Sequence, residues 1–366
     1  MRRILALDYS RGLAIIGVVI LHNALRFPDV KQAQNVLIDS FIKNLADYCV
    51  PVFLFLAGYF MAHKHEKTFG EFFRNKLKRV WVPTLFWILF FFVTFSILDN
   101  KYDYTPTFFL LFFLFNIVLL YFSTQYYFTF VLIILFAAFY FIIDVDNKKI
   151  IQMLWICFIL NLLTIIIYEY LLWTINSNQF FTIAVYRFPL AWVFFFMYGI
   201  YTFRIDPEMK MGLFKYIEDH KIRVLAVALV LWILTSLETF ILTPRELPTG
   251  DYYKVASFLL ECILIPFIIV MVRHIKPETT IARGLLVLSK YSFFIYLIHI
   301  PLVPKLFDYI LGAGWFGNYE NNLYYPNLFL RIILELTIPI AIAWLISSLA
   351  KLPHMNKVAL YVGLRA

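Results

Sequence analysis

The sequence predicts an all-α integral membrane protein: a polytopic bundle of about ten transmembrane helices with both termini in the cytoplasm. Of its 366 residues, 62% are hydrophobic and only 15% are charged, whereas soluble domains carry about 25% charged residues. The apolar residues form continuous runs long enough to cross a bilayer, and they do not alternate as in membrane β-barrels. The distribution of lysine and arginine then fixes the orientation of the spans.

Ten apolar runs predict the spans, and an eleventh is decided by charge. If the run 106–122 crossed the membrane, the basic connections that contain Arg204 and Arg273 would lie outside, against the positive-inside rule. We therefore predict that 106–122 is a re-entrant or interfacial segment within a single membrane domain, 1–366. The predicted spans lie near 6–26, 45–62, 80–98, 126–143, 150–174, 183–203, 222–242, 254–272, 285–304 and 328–350.

Charge and cysteine content exclude several classes of function. The net charge of +9 reflects cytoplasmic loops and contact with anionic lipids, so nucleic acid is not an expected partner. Cys49, Cys157 and Cys262 are scattered within or near apolar runs, which is typical of small buried hydrophobes and gives neither a disulfide framework nor a metal-ligand spacing. We expect no metal and no permanently bound cofactor.

The first span carries polar side chains on one helix face. Arg11 and His22 are separated by eleven positions, so at about 100° per residue their directions differ by about 20°, and Asp8 lies about 40° from that line. The helical rise places His22 about 16 Å above Arg11, roughly half the thickness of the bilayer core. Charged groups inside a membrane cost on the order of 2.5–3.5 kcal/mol each, so they face a protein interior in most cases. This pattern predicts one wall of a polar shaft.

Each residue also has a structural interpretation when it is taken alone. Arg11 is consistent with a basic anchor that extends to the membrane surface, and His22 with a neutral packing residue. The basic segment that contains Arg74, Lys78 and Arg79 suits the phosphates of an anionic cofactor, but it equally satisfies the positive-inside rule. The shared face of Asp8, Arg11 and His22 is the observation that favours a functional site.

Other polar residues lie inside or at the ends of the predicted spans. Arg187, near the outer end of its span, fits either a substrate-binding residue or an interfacial anchor. His299 lies at a depth near that of His22 and fits either substrate binding or helix packing. Glu169, Glu238, Glu261 and Glu335 also lie inside predicted spans; one of these carboxylates is a candidate to orient His22, and the sequence does not choose between them. Glu335 follows Arg331 by four positions, which predicts an ion pair on one helix.

In combination, these motifs resemble the membrane-bound acyltransferase-3 family, in which the first span bears an arginine, ten intervening residues and a histidine. Ala57 stands where the family commonly has serine, which weakens any role for a hydroxyl group there. The resemblance covers nearly the whole chain. It rests on Leu7-Asp8-x-x-Arg11-Gly12-x-Ala14-Ile15, on Pro51-x-Phe53-x-Phe55-x-x-Gly58-Tyr59, on the basic stretch into Pro83, on Arg187 with Tyr198-Gly199, and on Tyr291-Ser292 with Tyr296-Leu297-x-His299.

The resemblance implies a membrane-bound O-acyltransferase of the bacterial cytoplasmic membrane, similar to members without an appended hydrolase-like domain. It implies acetyl-CoA, or alternatively succinyl-CoA, as the donor, and a cell-surface or lipid-linked glycan as the acceptor. In this interpretation His22 is the general base, since its ordinary pKa is about 6.5. Arg11 and Asp8 are the further catalytic candidates, and Arg11 holds the donor's phosphates or its thioester region. The donor-binding candidates are Arg74, Lys78 and Arg79, and the substrate-binding candidates are Arg187, His299 and Glu169.

Two other classes of function fit the same helices. A transporter or exporter of a polysaccharide or lipid-linked sugar would use Arg11, Arg187 and the membrane glutamates to line its path. The sequence shows no inverted repeat to support it. A sensor or scaffold without turnover would leave the common face of Arg11 and His22 unexplained. The acceptor glycan, the acyl group and any homo-oligomeric state stay open.

Overall fold

The structure is a computed structural model, and it describes residues 4–23, 33–63, 68–98, 124–174, 187–242, 254–311, 324–351 and 356–364. Helices form nearly all of the described chain, and these residues contain no β-strand. The α-helices are α1 (Leu5–Asn23), α2 (Ala33–Ala46), α3 (Cys49–Ala62), α4 (Phe69–Lys76), α5 (Val82–Leu98), α6 (Tyr127–Phe139), α7 (Asn147–Thr174), α8 (Val193–Ile205), α9 (Gly212–Asp219), α10 (Lys221–Leu242), α11 (Val255–Arg273), α12 (Thr280–Leu311), α13 (Tyr324–Leu349) and α14 (Asn356–Tyr361).

The helices confirm a polytopic membrane bundle. In the described residues, eight helical segments are long and apolar enough to cross a membrane, and two shorter apolar helices, Tyr127–Ile142 and Val193–Ile205, accompany them. Each of these segments overlaps one of the ten predicted runs, and the second, third and sixth begin at other residues than predicted; the third covers Phe69–Thr94 where 80–98 was expected. The segment 106–122 lies outside the described residues, so its predicted re-entrant or interfacial position stays a prediction, as does the single domain over 1–366.

The second span begins earlier than the sequence predicts. The apolar stretch was expected over 45–62, whereas the observed segment covers Leu37–Ala62 and includes most of α2. Polar residues of α2 lower the hydropathy of this stretch, but the fold buries them: Asp39 and Ser40 are both 0% exposed. Buried polar groups in a membrane protein are tolerated where other side chains satisfy them.

The sixth span begins later than the sequence predicts. It was expected over 183–203, but α8 begins only at Val193, after a short 3₁₀ turn over Pro189–Ala191. Phe188 precedes the proline and adopts an extended conformation, because the proline ring disfavours helical geometry in the preceding residue. Arg187 therefore lies in a turn ahead of the helix and not within it.

The described chain divides into two compact units. Unit 1 contains Met1–His65 and Ile134–Ser292, and unit 2 contains Glu66–Ile133 and Phe293–Ala366. In unit 1, α3 and α8 pack so closely that a Cβ atom on Gly58 would enter the backbone of Phe196, and one on Gly199 the backbone of Phe55. Small residues permit this close approach of two membrane helices, so Gly58 and Gly199 have a packing role.

Within unit 1, α1 packs against α2, α3 and α11. Its glycines fit against neighbouring backbone: a Cβ atom on Gly12 would meet the carbonyl oxygen of Leu285, and Gly17 lies against Ala46 and Cys49. Most of α1 is buried by these contacts. The remaining face, which carries Arg11 and His22, is partly exposed.

Unit 2 is tied together by hydrogen bonds from aromatic side chains to backbone carbonyls. Trp87 donates to Val362 at 3.0 Å, and Tyr126 donates to Leu297 at 2.7 Å. On α13, Arg331 Nε lies 2.9 Å from Glu335 Oε1, so the predicted ion pair is confirmed. Its i,i+4 spacing brings the two side chains to the same face of the helix.

Candidate functional site

The polar face of α1 begins with a contact between a carboxylate and a guanidinium group. Arg11 Nη1 lies 3.6 Å from Asp8 Oδ1, and the two side chains are 25% and 16% exposed. The guanidinium carbon of Arg11 also lies 5.1 Å from the ring centroid of Phe60 on α3, a distance at which cations interact with aromatic faces. Asp8 and Phe60 therefore fix the position of Arg11 while part of its side chain stays accessible.

His22 lies in the last turn of the same helix and is partly exposed. Its neighbour Asn23 is 3% exposed and donates to the carbonyl oxygen of Val19 at 2.8 Å. The helix rise separates Arg11 and His22 by about 16 Å along one face. The helix thus presents a cation near its beginning and a titratable base near its end, as the spacing predicts.

The basic segment is in unit 2, where α4 continues through a π-helical turn, Leu77–Trp81, into α5. Arg74, Lys78 and Arg79 are all exposed. Arg74 and Lys78 have helical i,i+4 spacing, and the wider π turn brings Arg79 toward the same face. Three exposed cations on neighbouring turns can form charge-assisted hydrogen bonds with phosphate groups.

Glu169 has a structural role that the sequence did not indicate. Its Oε2 atom accepts a hydrogen bond of 2.8 Å from the backbone N–H of Val255. This N–H is at the start of α11, where backbone donors lack partners within the helix and an acidic side chain is favourable. Glu169 therefore caps α11. Arg187 is partly buried in its turn, and its Nε atom has no hydrogen-bond acceptor.

His299 is fully buried in unit 2, and the fold determines which ring nitrogen carries the hydrogen. Nδ1 lies 2.9 Å from the carbonyl oxygen of Ile295 and 3.1 Å from that of Tyr296. Because both partners are acceptors, Nδ1 must be the donor, and Nε2 is then the basic nitrogen. Such an imidazole can accept a proton or a hydrogen bond.

The predicted site residues are thus divided between the two units, each of which brings some of them together. Unit 1 contains Asp8, Arg11, His22, Glu169 and Arg187, whereas unit 2 contains Arg74, Lys78, Arg79 and His299. Asp8 and Arg11 are in contact, and the three basic residues of unit 2 occupy one helical segment. Metal-binding clusters of three or more His, Cys, Asp or Glu residues are absent from the described part of the chain.

Sequence reasoning missed a polar network, which we call the Lys254 network, formed by Asn44, Thr235, Thr239 and Lys254 of unit 1. Lys254 is 1% exposed, and its Nζ atom donates to Asn44 Oδ1 at 2.9 Å and to Thr239 Oγ1 at 2.5 Å. Thr235 Oγ1 donates to Asn44 Oδ1 at 3.2 Å. The sequence offered one signal, a lysine at the start of an apolar run, but its partners lie on distant helices.

Two buried carboxyl groups, which we call the carboxyl pair, lie beside this network. Asp47 and Glu261 are each 1% exposed. Glu261 interacts electrostatically with both Asp47 and Lys254, and Ser257 donates to Asp47 Oδ2 at 3.4 Å. A buried ammonium and two buried carboxyl groups therefore lie close together inside a helical membrane bundle, where charges cost the most.

These features define the class of protein as a polytopic membrane protein with polar and charged groups inside its bundle. Comparison with known proteins gives the family: the model described as an acyltransferase domain matches residues 4–348. The chain belongs to this acyltransferase-3 family, which confirms the resemblance inferred from the motifs.

Curated relatives add a second finding. The chain is 25% identical over 320 residues, 83% of its length and 84% of the relative's, to a probable poly-beta-1,6-N-acetyl-D-glucosamine export protein of Staphylococcus aureus strain MRSA252. It is equally similar, over 321 residues, to the protein of the same description in strain MSSA476. No solved structure matches the chain.

Proposed function

We propose that this protein transfers an acyl group from a cytoplasmic acyl-CoA to a hydroxyl group of a cell-surface or lipid-linked glycan. The proposed acyl group is acetyl, and succinyl is the alternative. The family supports acyl transfer to a glycan in general. The observation that carries the specific proposal is the single face of α1, where Arg11 is held by Asp8 and His22 follows eleven residues later.

Arg11 is the proposed contact to the donor. Asp8 and Phe60 restrain its guanidinium group, so little conformational freedom is lost when it binds an anion. The exposed part of the side chain offers N–H donors to a phosphate or to the thioester oxygen. Arg74, Lys78 and Arg79 attract the anionic donor toward the cytoplasmic side of the protein.

His22 is the proposed general base. Its imidazole accepts the proton as the O–H bond of the acceptor breaks, and the hydroxyl oxygen attacks the thioester carbonyl carbon. The C–S bond then breaks, and the thiolate leaves with the electron pair and takes a proton from water, while His22 returns its proton to water and is neutral again. General base catalysis by a positioned histidine contributes about 10²- to 10⁴-fold to such a reaction. Arg187 and His299 are proposed to bind the acceptor. Glu169 caps α11 and is proposed to contact the substrate as well.

The test replaces His22 and measures acyl groups on the glycan. Cells that carry His22→Ala should lose one acyl mass from the surface glycan in mass spectrometry, with a rate of transfer about 10²- to 10⁴-fold below wild type. The matched control is His220→Ala, a partly exposed histidine between α9 and α10 and outside the spans, which should leave acylation unchanged. Full acylation in His22→Ala, at equal amounts of protein in the membrane, would contradict the proposal.

Export of a glycan is the second candidate, because the curated relatives are named as export proteins. An exporter requires no acyl-CoA, so the purified proteins separate the two functions. An acyltransferase should bind acetyl-CoA in calorimetry, and binding should weaken in Arg11→Ala. Export is favoured instead if acetyl-CoA does not bind, glycan acylation is normal in His22→Ala, and the amount of surface glycan falls.

A further inference from the structure

The connection between α8 and α9, residues 206–211, is held in one conformation by side chains from two elements of unit 1; we call it the α8–α9 loop. Asp206 is buried, and its two carboxylate oxygens accept hydrogen bonds of 2.9 and 2.7 Å from backbone N–H groups further along the loop. From α11, Arg273 Nη2 donates to the carbonyl oxygens of Met209 at 2.9 Å and Glu208 at 3.3 Å. The loop is therefore fixed from within and from a neighbouring helix.

Met209 is the strained residue of this loop. Its φ angle is 56°, and in the described part of the chain it is the single non-glycine residue with a positive φ. The left-handed region is unfavourable for any residue that has a Cβ atom, yet the Met209 side chain is completely buried. Such strain persists only where the surroundings over-determine the backbone, and it is concentrated at functional sites. The carbonyl groups around Met209 are therefore held in fixed directions.

One carbonyl group of the α8–α9 loop binds the end of α3. Tyr59 Oη donates to the carbonyl oxygen of Pro207 at 2.6 Å, and the Tyr59 ring packs edge-on against Phe203 of α8, with centroids 5.3 Å apart. Tyr59 is buried and lies three residues before α3 ends at Ala62. The last turn of a helix opens more readily than its centre, because its carbonyl groups lack partners within the helix. The bond to Pro207 therefore holds the last turn of α3 in place.

The same turn of α3 carries the aromatic ring that contacts Arg11. Phe60 follows Tyr59 directly, and the two rings meet edge to face with centroids 5.6 Å apart. The guanidinium carbon of Arg11 in turn lies 5.1 Å from the Phe60 centroid. Contacts thus run without a gap from the carbonyl oxygen of Pro207 to the guanidinium group of Arg11. Because a cation packs on the face of an aromatic ring, a displaced last turn of α3 would change the position of that group.

We propose that Tyr59 is a positioning residue for donor binding: its hydrogen bond to the α8–α9 loop fixes Phe60 and, through Phe60, the guanidinium group of Arg11. The proposal rests on the acyl transfer proposed above, in which Arg11 binds the anionic donor. A guanidinium group that is already oriented loses less conformational freedom when it binds a phosphate or a thioester oxygen. Tyr59 itself does not touch the donor. Its contribution is therefore to donor affinity, which changes KM, and not to the chemical step, which changes kcat.

Donor kinetics test the proposal with a conservative variant. Tyr59→Phe removes only the hydroxyl group, and the loss of one such hydrogen bond should raise the KM for acetyl-CoA about 2- to 10-fold and leave kcat unchanged. The matched control is Tyr126→Phe, which removes another buried tyrosine hydroxyl that donates to a backbone carbonyl group, that of Leu297. This control should keep the wild-type KM. A wild-type KM in Tyr59→Phe, or an equal rise in both variants, would overturn the proposal.

Two further variants show through which residues Tyr59 acts. Arg273→Met removes the donor that holds the Met209 carbonyl group and changes no residue of α3, so it should reproduce the rise in KM. In an Arg11→Ala background, Tyr59→Phe should have no further effect on KM, because residues that act through one another are not additive in a double-mutant cycle. A wild-type KM in Arg273→Met, together with additive effects of Tyr59→Phe and Arg11→Ala, would indicate direct contact of Tyr59 with the donor and contradict the positioning role.

Chemical modification of Arg11 distinguishes failure of this proposal from failure of the proposed function. Phenylglyoxal modifies accessible arginine side chains, and peptide mass spectrometry gives its rate at Arg11, which is 25% exposed, without donor or acceptor. The rate should rise about 2- to 10-fold in Tyr59→Phe and stay at the wild-type value in Tyr126→Phe. An unchanged rate in Tyr59→Phe would overturn the positioning role. Acetyl-CoA should slow the modification in wild type. Absence of this protection, with a raised rate in Tyr59→Phe, would reject acyl-CoA as the donor and retain the positioning of Arg11 by Tyr59.

Discussion

Two groups of charged residues in unit 1 show different ways of placing charge inside a membrane. Asp8 and Arg11 are neighbours on one helix, three residues apart, and they are 16% and 25% exposed. Lys254 is 1% exposed and reaches Asn44, which is 210 positions away in the sequence. The first arrangement leaves a cation available to a ligand, and the second encloses a cation completely.

The difference has an energetic consequence. A partly exposed ion pair contributes about 0–1 kcal/mol to stability, because water and salt screen it. Removing one partner of a buried charged group costs about 3–5 kcal/mol, since the remaining polar groups are left without compensation. We therefore expect the α1 pair to matter for binding and the Lys254 network to matter for folding.

The largest expected effect on stability follows from Lys254→Met. The methionine replaces the apolar part of the lysine side chain, from Cβ to Cε, but leaves Asn44 Oδ1 and the carboxyl pair without the ammonium group, which should destabilise the fold by about 3–5 kcal/mol. Thermal denaturation in detergent should show a markedly lower Tm. Lys149→Met, at an exposed position on α7, is the control and should keep the wild-type Tm. Equal Tm values for Lys254→Met and Lys149→Met would show that the buried lysine contributes no more to stability than an exposed one.

Arg11→Ala should have the opposite profile, with a small change in Tm and a large change in donor binding. Loss of a charge-assisted hydrogen bond, about 1.5–3 kcal/mol, corresponds to a rise in the KM for acyl-CoA of about 10- to 100-fold. Initial rates at several acyl-CoA concentrations measure this rise. Arg283→Ala, which removes an exposed arginine of α12, provides the matched control. An unchanged KM in Arg11→Ala would assign Arg11 to anchoring alone.

The smallest expected effect concerns a surface cluster around Glu218, which lies on α9 outside the spans. Glu218 Oε1 lies 2.9 Å from Lys221 Nζ and 3.0 Å from His274 Nε2. The hydrogen bond from Lys221 is the largest effect that holds the pKa of Glu218 below its ordinary value, with smaller contributions from the charges of Lys221 and His274. Such an exposed cluster contributes on the order of 0.5 kcal/mol.

The lowered pKa sets the direction of the pH dependence. A carboxylate with a depressed pKa in the folded state stabilises the protein above its unfolded pKa of about 4.3, and this contribution is lost as the pH falls through the lower folded value. Glu218→Gln should therefore lower the Tm slightly at pH 7 and leave it unchanged in strong acid. High salt should reduce the difference between the variant and wild type. A difference that is independent of both pH and salt would show that packing, and not charge, holds this cluster together.

The exceptions to the predicted spans follow from local chemistry. The start of α8 depends on Pro189, whose effect on the preceding residue moves Arg187 into a turn. The second span begins earlier because the fold buries Asp39 and Ser40. A hydropathy average cannot predict this start, since it assigns the same cost to a polar residue whether that residue faces lipid or the protein interior. In both cases the apolar composition located the helix, while its boundary depended on specific contacts.

The sequence by itself determined the class of the protein, the positions of the apolar helices in the described residues and the pairing of residues on one helix. Asp8, Arg11 and His22 share a face, and Arg331 meets Glu335, because helical periodicity relates positions three, four and eleven residues apart. The tertiary structure alone decided that Glu169 caps α11 and that Asn44, Thr239 and Lys254 meet. Contacts between helices depend on which faces pack together, and in a chain of apolar helices with similar surfaces, periodicity carries no information about that choice.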